Sequence, residues 1–376
     1  MLIIKTHRDN LLKPLSQCAG IVERKHTLPV LANVLIKKTE NSLSFVTTDI
    51  EVQIATKIDH QQGGQDLETT VNARKFLDII RALPDTEDIS LEQIENKLII
   101  KSGKSKYTLQ TLEAAEFPIM SAGHDWDLSV SLSQGKLKNL LTKVHFSMAQ
   151  QDIRYYLNGL LLAFEGKLIK SIATDGHRLA YYHIDSEKDI EKDTEINFPK
   201  TDLIIPRKTI LELVRLLADS DEKIKLSANK NLIQFELGNT VFVSKLIEGK
   251  FPDYNRVIPI NHPKSIKINR SEFHSALQRA AILTSDKFKG IRLNFDKNLL
   301  KAQSTNTEQE EACEEIIIDY TYETLDIGFN VGYILDVLTN IKQDEITMSL
   351  SDGNASTLIT TSLDENFKYV VMPMRI

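Results

Sequence analysis

The chain has 376 residues, 41% hydrophobic and 26% charged, with a formal net charge of −6. Those figures exclude a disordered chain, and the length exceeds what one ordinary hydrophobic core serves, so two or three domains are expected. The apolar run before Lys5 is too short for a signal peptide or a membrane span, which points to the cytoplasm, and the distant Cys18 and Cys313 give neither a disulfide framework nor zinc-ligand spacing.

In chain order, "RDNLLKPLSQCAGIV" at 8–22 reads as a helix and "LANVLIKKTENSLSFVTTD" at 31–49 as a strand, polar turn and strand. A second helix follows in "KFLDIIRALPD" at 75–85, whose apolar residues recur at i, i+3, i+4. The same order returns twice. Helix-like "SQGKLKNLLTKVHFSM" at 133–148, hairpin "LNGLLLAFEGKLIKSIATD" at 157–175 and helix "TILELVRLLAD" at 209–219 form the second set. "NRSEFHSALQRAAIL" at 269–283, "FKGIRLNFDKNLLKAQSTN" at 288–306 and "YILDVLTNIKQD" from 333 form the third. The hairpin segments align without a gap, Asp49 to Asp175 being 126 positions and Asp175 to Asn306 being 131. A period near one third of the chain, present in independent segments, predicts an α+β fold of three tandem domains, each of two similar halves. The interruptions "SAGHDWD" at 121–127 and "VIPINHPKS" at 257–265 place the domains at 1–125, 126–257 and 258–376.

"ATDGHRLAYY" at 173–182 sets Asp175, His177 and Arg178 close together, which raises the question of acid–base catalysis. The repeat argues against it. Asp175 aligns with Asp49 and Asn306, so a short polar side chain bonding nearby backbone is the expected role, and His177 aligns with Glu51 and Glu308. "GKS" at 103–105 lacks the earlier glycine of a phosphate loop, Leu98 standing in its place. The acidic runs at 185–195 and 308–315 lack the glycine turn of a calcium loop or are interleaved with lysine, so no metal and no cofactor is expected. Basic residues gather on the expected helices, at Arg8, Lys13, Lys75, Arg81, Lys136, Lys138, Lys143, Lys208, Arg215, Arg270 and Arg279. An acidic chain can thus present a positive surface to phosphates without reading bases. The competing reading is a nucleic-acid enzyme, such as a nuclease subunit, that uses Asp175 and His177.

Together with the repeats, "ATDGHRLA", "FSMAQQDIRYYLNG" at 146–159, "GKFPDYNRVIP" at 249–259, "NTEQEEACEE" at 306–315 and the ending "YVVMPMRI" carry a resemblance to the bacterial beta sliding clamps, the processivity subunits of DNA polymerase III. The resemblance spans residues 1–376. It implies a non-catalytic protein: a head-to-tail homodimeric ring around duplex DNA, with antiparallel sheets outside and helices lining the hole. The implied partners are duplex DNA of any sequence, the alpha subunit of the polymerase, the delta subunit of the clamp loader, and other polymerases and repair proteins, with no membrane.

By position, the resemblance assigns DNA contact to Arg24, Lys25, Gln151, Tyr155 and Tyr156; Lys25 stands where the family usually has arginine. It assigns a peptide-binding groove to Leu157, Thr174, Gly176, His177, Arg178, Leu179, Pro252, Arg256, Val257, Asn330, Ser356, Val370, Val371, Met372, Pro373, Met374 and Arg375. In the groove, Arg178, His177 and the backbone are expected to orient a peptide carrying leucine or phenylalanine. It assigns dimer closure to Ile282 and Leu283 against Tyr107 and Leu109, with Lys75, Lys104 and Lys106 facing Glu308, Glu310, Glu311 and Glu314. The charged stretch 185–202 departs from the family by its length and acidity.

Overall fold

Short strands precede the helices that the sequence places first in each repeat: Leu2–His7, Leu128–Ser133 and Lys264–Asn269. These runs are too brief for their alternation to register beside the longer helical period that follows. The computed structural model describes residues 1–22, 28–60, 65–120, 125–186, 198–285, 288–362 and 364–375. Its helices are α1 (Arg8–Cys18), α2 (Ala73–Ala82), α3 (Gln134–Thr142), α4 (Arg207–Leu216), α5 (Arg270–Ala280) and α6 (Val331–Asn340).

Each repeat thus contributes two of these helices among the described residues, at the places the sequence periods require. One face of each is apolar: α2 buries Ala73, Phe76, Leu77 and Ile80, and α5 buries Phe273, Ala276, Leu277 and Ala280. Asn72, Asn269 and Asn330 cap α2, α5 and α6, their side chains accepting the N–H groups of Lys75, Glu272 and Gly332. The first helix of each repeat ends in a short 3-10 turn, at Ala19–Ile21, His145–Ser147 and Ala281–Leu283.

The three hairpins keep the register that the alignment demands. Leu35 faces Val46, Leu161 faces Ile172 and Arg292 faces Gln303, and these pairs occupy the same aligned positions. The "GKS" tripeptide closes another hairpin, with Ser102 paired to Ser105 and Gly103 at φ +52°, so it is a turn and not a phosphate loop.

Two compact units form, one from Met1–Gly135 with Leu211–Leu246, the other from Lys136–Ile210 with Ile247–Ile376. They do not follow the three repeats because the sheets run on from one repeat into the next. In the first unit, a twelve-stranded sheet joins Val52–Asp59 to Thr240–Lys245, with Ile54 opposite Phe242. In the second, an eight-stranded sheet joins Arg178–Asp185 to Asp364–Val371, with Leu179 opposite Val370. A four-stranded sheet, in the order Glu311–Ile317, Leu299–Thr305, Gly290–Asp296, Leu325–Asn330, completes the second unit. Joining edges in this way removes unpaired backbone that would invite other chains.

Two of the edges that stay open among the described residues lie in the first and third repeats. Ser105–Leu112 is paired along one side with Lys97–Ser102, but on the other only Thr111 and Leu112 meet Leu67–Asn72. Glu311–Ile317 ends the four-stranded sheet.

Candidate functional site

The turn after the second hairpin is built by Thr174 and Asp175. Asp175 Oδ1 accepts the N–H groups of His177 (2.9 Å) and Arg178 (3.1 Å), and Thr174 Oγ1 donates to the Arg178 carbonyl at 2.6 Å. Asp49 does the same for Glu51 and Val52, and Asn306 for Glu308 and Glu310. The acid in "ATDGH" therefore does turn chemistry, as the repeat implies. Its second oxygen is taken as well, since Arg178 Nε donates to Asp175 Oδ2 at 3.0 Å. Neither oxygen is left to act as a base toward a substrate, and the His177 ring is exposed.

Arg178 is buried to 9% exposure and has three partners: Asp175, Asp336 Oδ2, and the Phe146 carbonyl at 2.7 Å. Its guanidinium also lies 4.5 Å from the Tyr333 ring centroid. Burial acts to lower its pKa, but Tyr369, Asp336 and Asp175 outweigh that and hold it above its ordinary value. The expectation that Arg178 orients a ligand is corrected in part: it lines the site, but its donors chiefly fix the wall.

That wall belongs to a cleft of about 170 Å³ lined by four chain segments. Arg154, Tyr156 and Leu157 form one side, and Thr174, Gly176, His177, Arg178 and Leu179 a second. Phe251, Pro252, Tyr254 and Val257 form a third, Val370 and Met372 a fourth. The floor is the core cluster of Leu161, Ala163, Ile172, Leu179, Ile204, Phe251 and Val370, on which Tyr156, Tyr254 and Val257 pack. Burial pushes the Tyr181 hydroxyl beneath Tyr254 up to about 12. A mouth this small takes one or two apolar side chains, while the polar groups at its rim are few.

Of the expected groove residues, Leu157, Thr174, Gly176, His177, Arg178, Leu179, Pro252, Val257, Val370 and Met372 line this cleft. Arg256 is exposed and paired with Asp253, and Asn330 caps α6. Ser356 is half-buried, and Val371 is fully buried opposite Arg178. Pro373 and Met374 are half-buried, Met374 N–H donating to the Gly328 carbonyl, and Arg375 is exposed. The chain end is thus core strand through Val371 and surface beyond it.

Four lining residues were not assigned to the groove from sequence: Arg154, Tyr156, Phe251 and Tyr254. Phe251 and Tyr254 sit inside the quoted "GKFPDYNRVIP", where their aromatic character was the available signal. Tyr156, expected on DNA, lies in the cleft beside Tyr155, the rings 6.0 Å apart. Tyr155 and Gln151 are exposed, Gln151 at φ +56°; Arg24 and Lys25 lie outside the described residues.

Of the closure residues, Ile282 is 76% exposed and Tyr107 39%, while Leu283 and Leu109 are half-buried. Lys75, Lys104, Lys106, Glu308, Glu310 and Glu311 are exposed. Glu314 is paired with Arg279 in its own chain, which holds the Glu314 carboxyl below its ordinary range. The basic helix residues also divide. Lys143 is buried and ion-paired with Asp364 at 3.0 Å, Arg215 donates to the Ser16 and Gln17 carbonyls, and Arg270 to those of Gln343 and Leu338. The reading of all eleven as a phosphate-facing set is corrected for these. Among the described residues, no cluster of three or more His, Cys, Asp or Glu is placed to hold a metal, and no helix is long and apolar enough to cross a membrane.

The models of the N-terminal, central and C-terminal domains of the DNA polymerase III beta subunit match residues 2–121, 131–253 and 255–375. The Pseudomonas aeruginosa beta sliding clamp is 43% identical over 372 residues, 98% of each chain, and that of Escherichia coli 39% identical over 371, again 98% of each. The crystal structure of the P. aeruginosa DNA polymerase III subunit beta matches with a TM-score of 0.93 at 42% identity, covering 100% of both chains. Three clamp-domain matches in family order, on a fold whose three hairpins share one register, show that this chain belongs to the beta sliding clamps, the beta subunits of DNA polymerase III.

Proposed function

We propose that the chain acts in the cytoplasm as a processivity clamp. Two copies close head to tail into a ring around duplex DNA, and the cleft at Leu157, Thr174–Leu179, Pro252–Val257 and Val370–Met372 docks peptides of its partners. Those partners are the alpha subunit of the polymerase, the delta subunit of the clamp loader, and other polymerases and repair proteins. Membership in a non-catalytic family accounts for the absence of a role for Asp175 and His177 in acid–base chemistry. The domains are assigned to 1–125, 126–257 and 258–376, the repeats rather than the packing units setting the limits.

The observation that carries the docking role is the cleft itself: a small apolar hole, floored by a sheet core, with Met372 42% exposed at its mouth. A flexible thioether there adapts to different side chains, which suits one site shared by several partners. A P. aeruginosa sliding clamp has been crystallised bound to griselimycin, so griselimycin is a natural competitor to try here.

For closure, two of the open edges are complementary. Ser105–Leu112 carries exposed Lys106 and Tyr107, and Glu311–Ile317 exposed Glu311 and Glu315. Pairing one edge with the other on a second copy is a heterologous contact, which closes when the rotation allows. For DNA, Arg24, Lys25, Gln151 and Tyr155 remain the proposed contacts, and exposed Lys13 on α1 is proposed as a further phosphate partner.

The test of the groove is truncation after Val371. The shortened chain is expected to keep its fold, since the buried strand ends there, and to lose binding of a fluorescein-labelled peptide ending in Leu-Phe, read by anisotropy. Full affinity in the folded, truncated protein would refute the groove.

A further inference from the structure

We infer that Asp336 is a positioning residue for the groove, acting through Arg178. This rests on the docking role proposed above. Asp336 lies on α6 and does not line the cleft, and its side chain is half-exposed at 49%. Its carboxylate meets one nitrogen of the Arg178 guanidinium, while a second nitrogen holds Asp175 at 3.0 Å and a third the Phe146 carbonyl at 2.7 Å. Asp175 in turn carries the backbone N–H groups of His177 and Arg178 on its other oxygen. One carboxylate on a helix is therefore linked, through a single buried guanidinium, to the turn that supplies a wall of the cleft.

The same helix is fastened to the adjoining wall, whose strand pairs with the strand after the turn. Tyr369 Oη donates to the Tyr333 carbonyl at 2.8 Å, and Tyr369 precedes Val370 on the strand leading to Met372. Tyr333 also stacks beneath Arg178. The ladder spaces these two walls, and helix α6, which forms neither, braces both: one through Asp336 and Arg178, the other through Tyr369. A planar guanidinium whose three nitrogens meet three separate acceptors over a ring fixes direction as well as distance, which a lysine in place of Arg178 cannot do. Where a wall is held in its binding geometry only part of the time, apparent affinity falls by that fraction.

The experiment uses the full chain and a fluorescein-labelled peptide ending in Leu-Phe, with anisotropy as readout and light scattering and a thermal melt as controls. Asp336→Asn is expected to weaken peptide binding on the order of tenfold, with dimer mass and fold retained. Asp336→Glu, which keeps the charge, is expected to recover most of the loss. In an Arg178→Lys background, Asp336→Asn is expected to add little, because the link is already cut. A purely structural role for Asp336 gives neither the recovery nor the coupling. Unchanged affinity in Asp336→Asn, or an undiminished further loss in the Arg178→Lys background, overturns the inference while the groove stands. Failure of the wild-type chain to bind the peptide overturns the groove reading, and this inference with it.

Discussion

Asp175 shows how a residue that looks catalytic can be wholly occupied with holding its own loop. It serves two backbone N–H groups and one guanidinium, and the matching Asn306 serves backbone N–H groups without being an acid. Negative charge is therefore dispensable for the turn but not for Arg178. Asp175→Asn is expected to cost little in the turn and to loosen Arg178, whereas Asp175→Ala loses both roles, about 1–3 kcal/mol of stability; urea unfolding of the two variants measures the difference. The cysteines give a second residue-scale expectation. Cys18 is buried, and burial pushes its thiol up to about 12, while Cys313 is exposed on an edge strand. A thiol reagent is expected to modify Cys313 in the native protein and Cys18 only after unfolding, as mass spectrometry would show.

At the scale of elements, the repeat explains why the cleft sits where it does. Val52–Asp59 meets Thr240–Lys245 as Arg178–Asp185 meets Asp364–Val371, so the first repeat offers an equivalent corner. Its details differ. Gln53, aligned with Leu179, binds the Met120 backbone in both directions, accepting its N–H at 2.8 Å and donating to its carbonyl at 3.5 Å. Glu51, aligned with His177, pairs with Lys245 at 3.1 Å. The chain itself occupies that corner, whereas the second repeat leaves it open. Gly176, at φ +92°, is part of that opening, for a Cβ there would sit 2.9 Å from the Arg154 guanidinium. Gly176→Ala is expected to displace Arg154 and weaken peptide binding several-fold, which anisotropy would detect. The sequence alone made the helices, the hairpin register and the turn acids legible, because those follow from local period and short polar side chains. It did not reveal the opening strands, whose alternation is brief, nor the partner of Lys143, since Asp364 lies 221 positions away and only folding brings them together. Tyr156 shows the same limit: adjacent to Tyr155 in sequence, it turns to the cleft while its neighbour faces solvent.

For the whole molecule, closure is expected to rest on apolar contact more than on charge. Exposed ion pairs contribute about 0–1 kcal/mol each, and Glu314 already has Arg279 as a partner. Ile282, 76% exposed in the middle of the turn after α5, has no role in its own core. Ile282→Ala with Leu283→Ala is therefore expected to give folded monomers at micromolar concentration, with light scattering reporting mass and circular dichroism the fold. Unfolding of the double variant would instead mark these as core residues. The central claim, that the chain encircles DNA without reading it, is tested most directly by loading it with a clamp loader onto nicked circular duplex and then linearising the DNA. The account predicts retention on the circle, with contacts that weaken steeply as salt rises, and release on linearisation. Retention on the linear product, or tight sequence-dependent binding to short linear duplex, would contradict it.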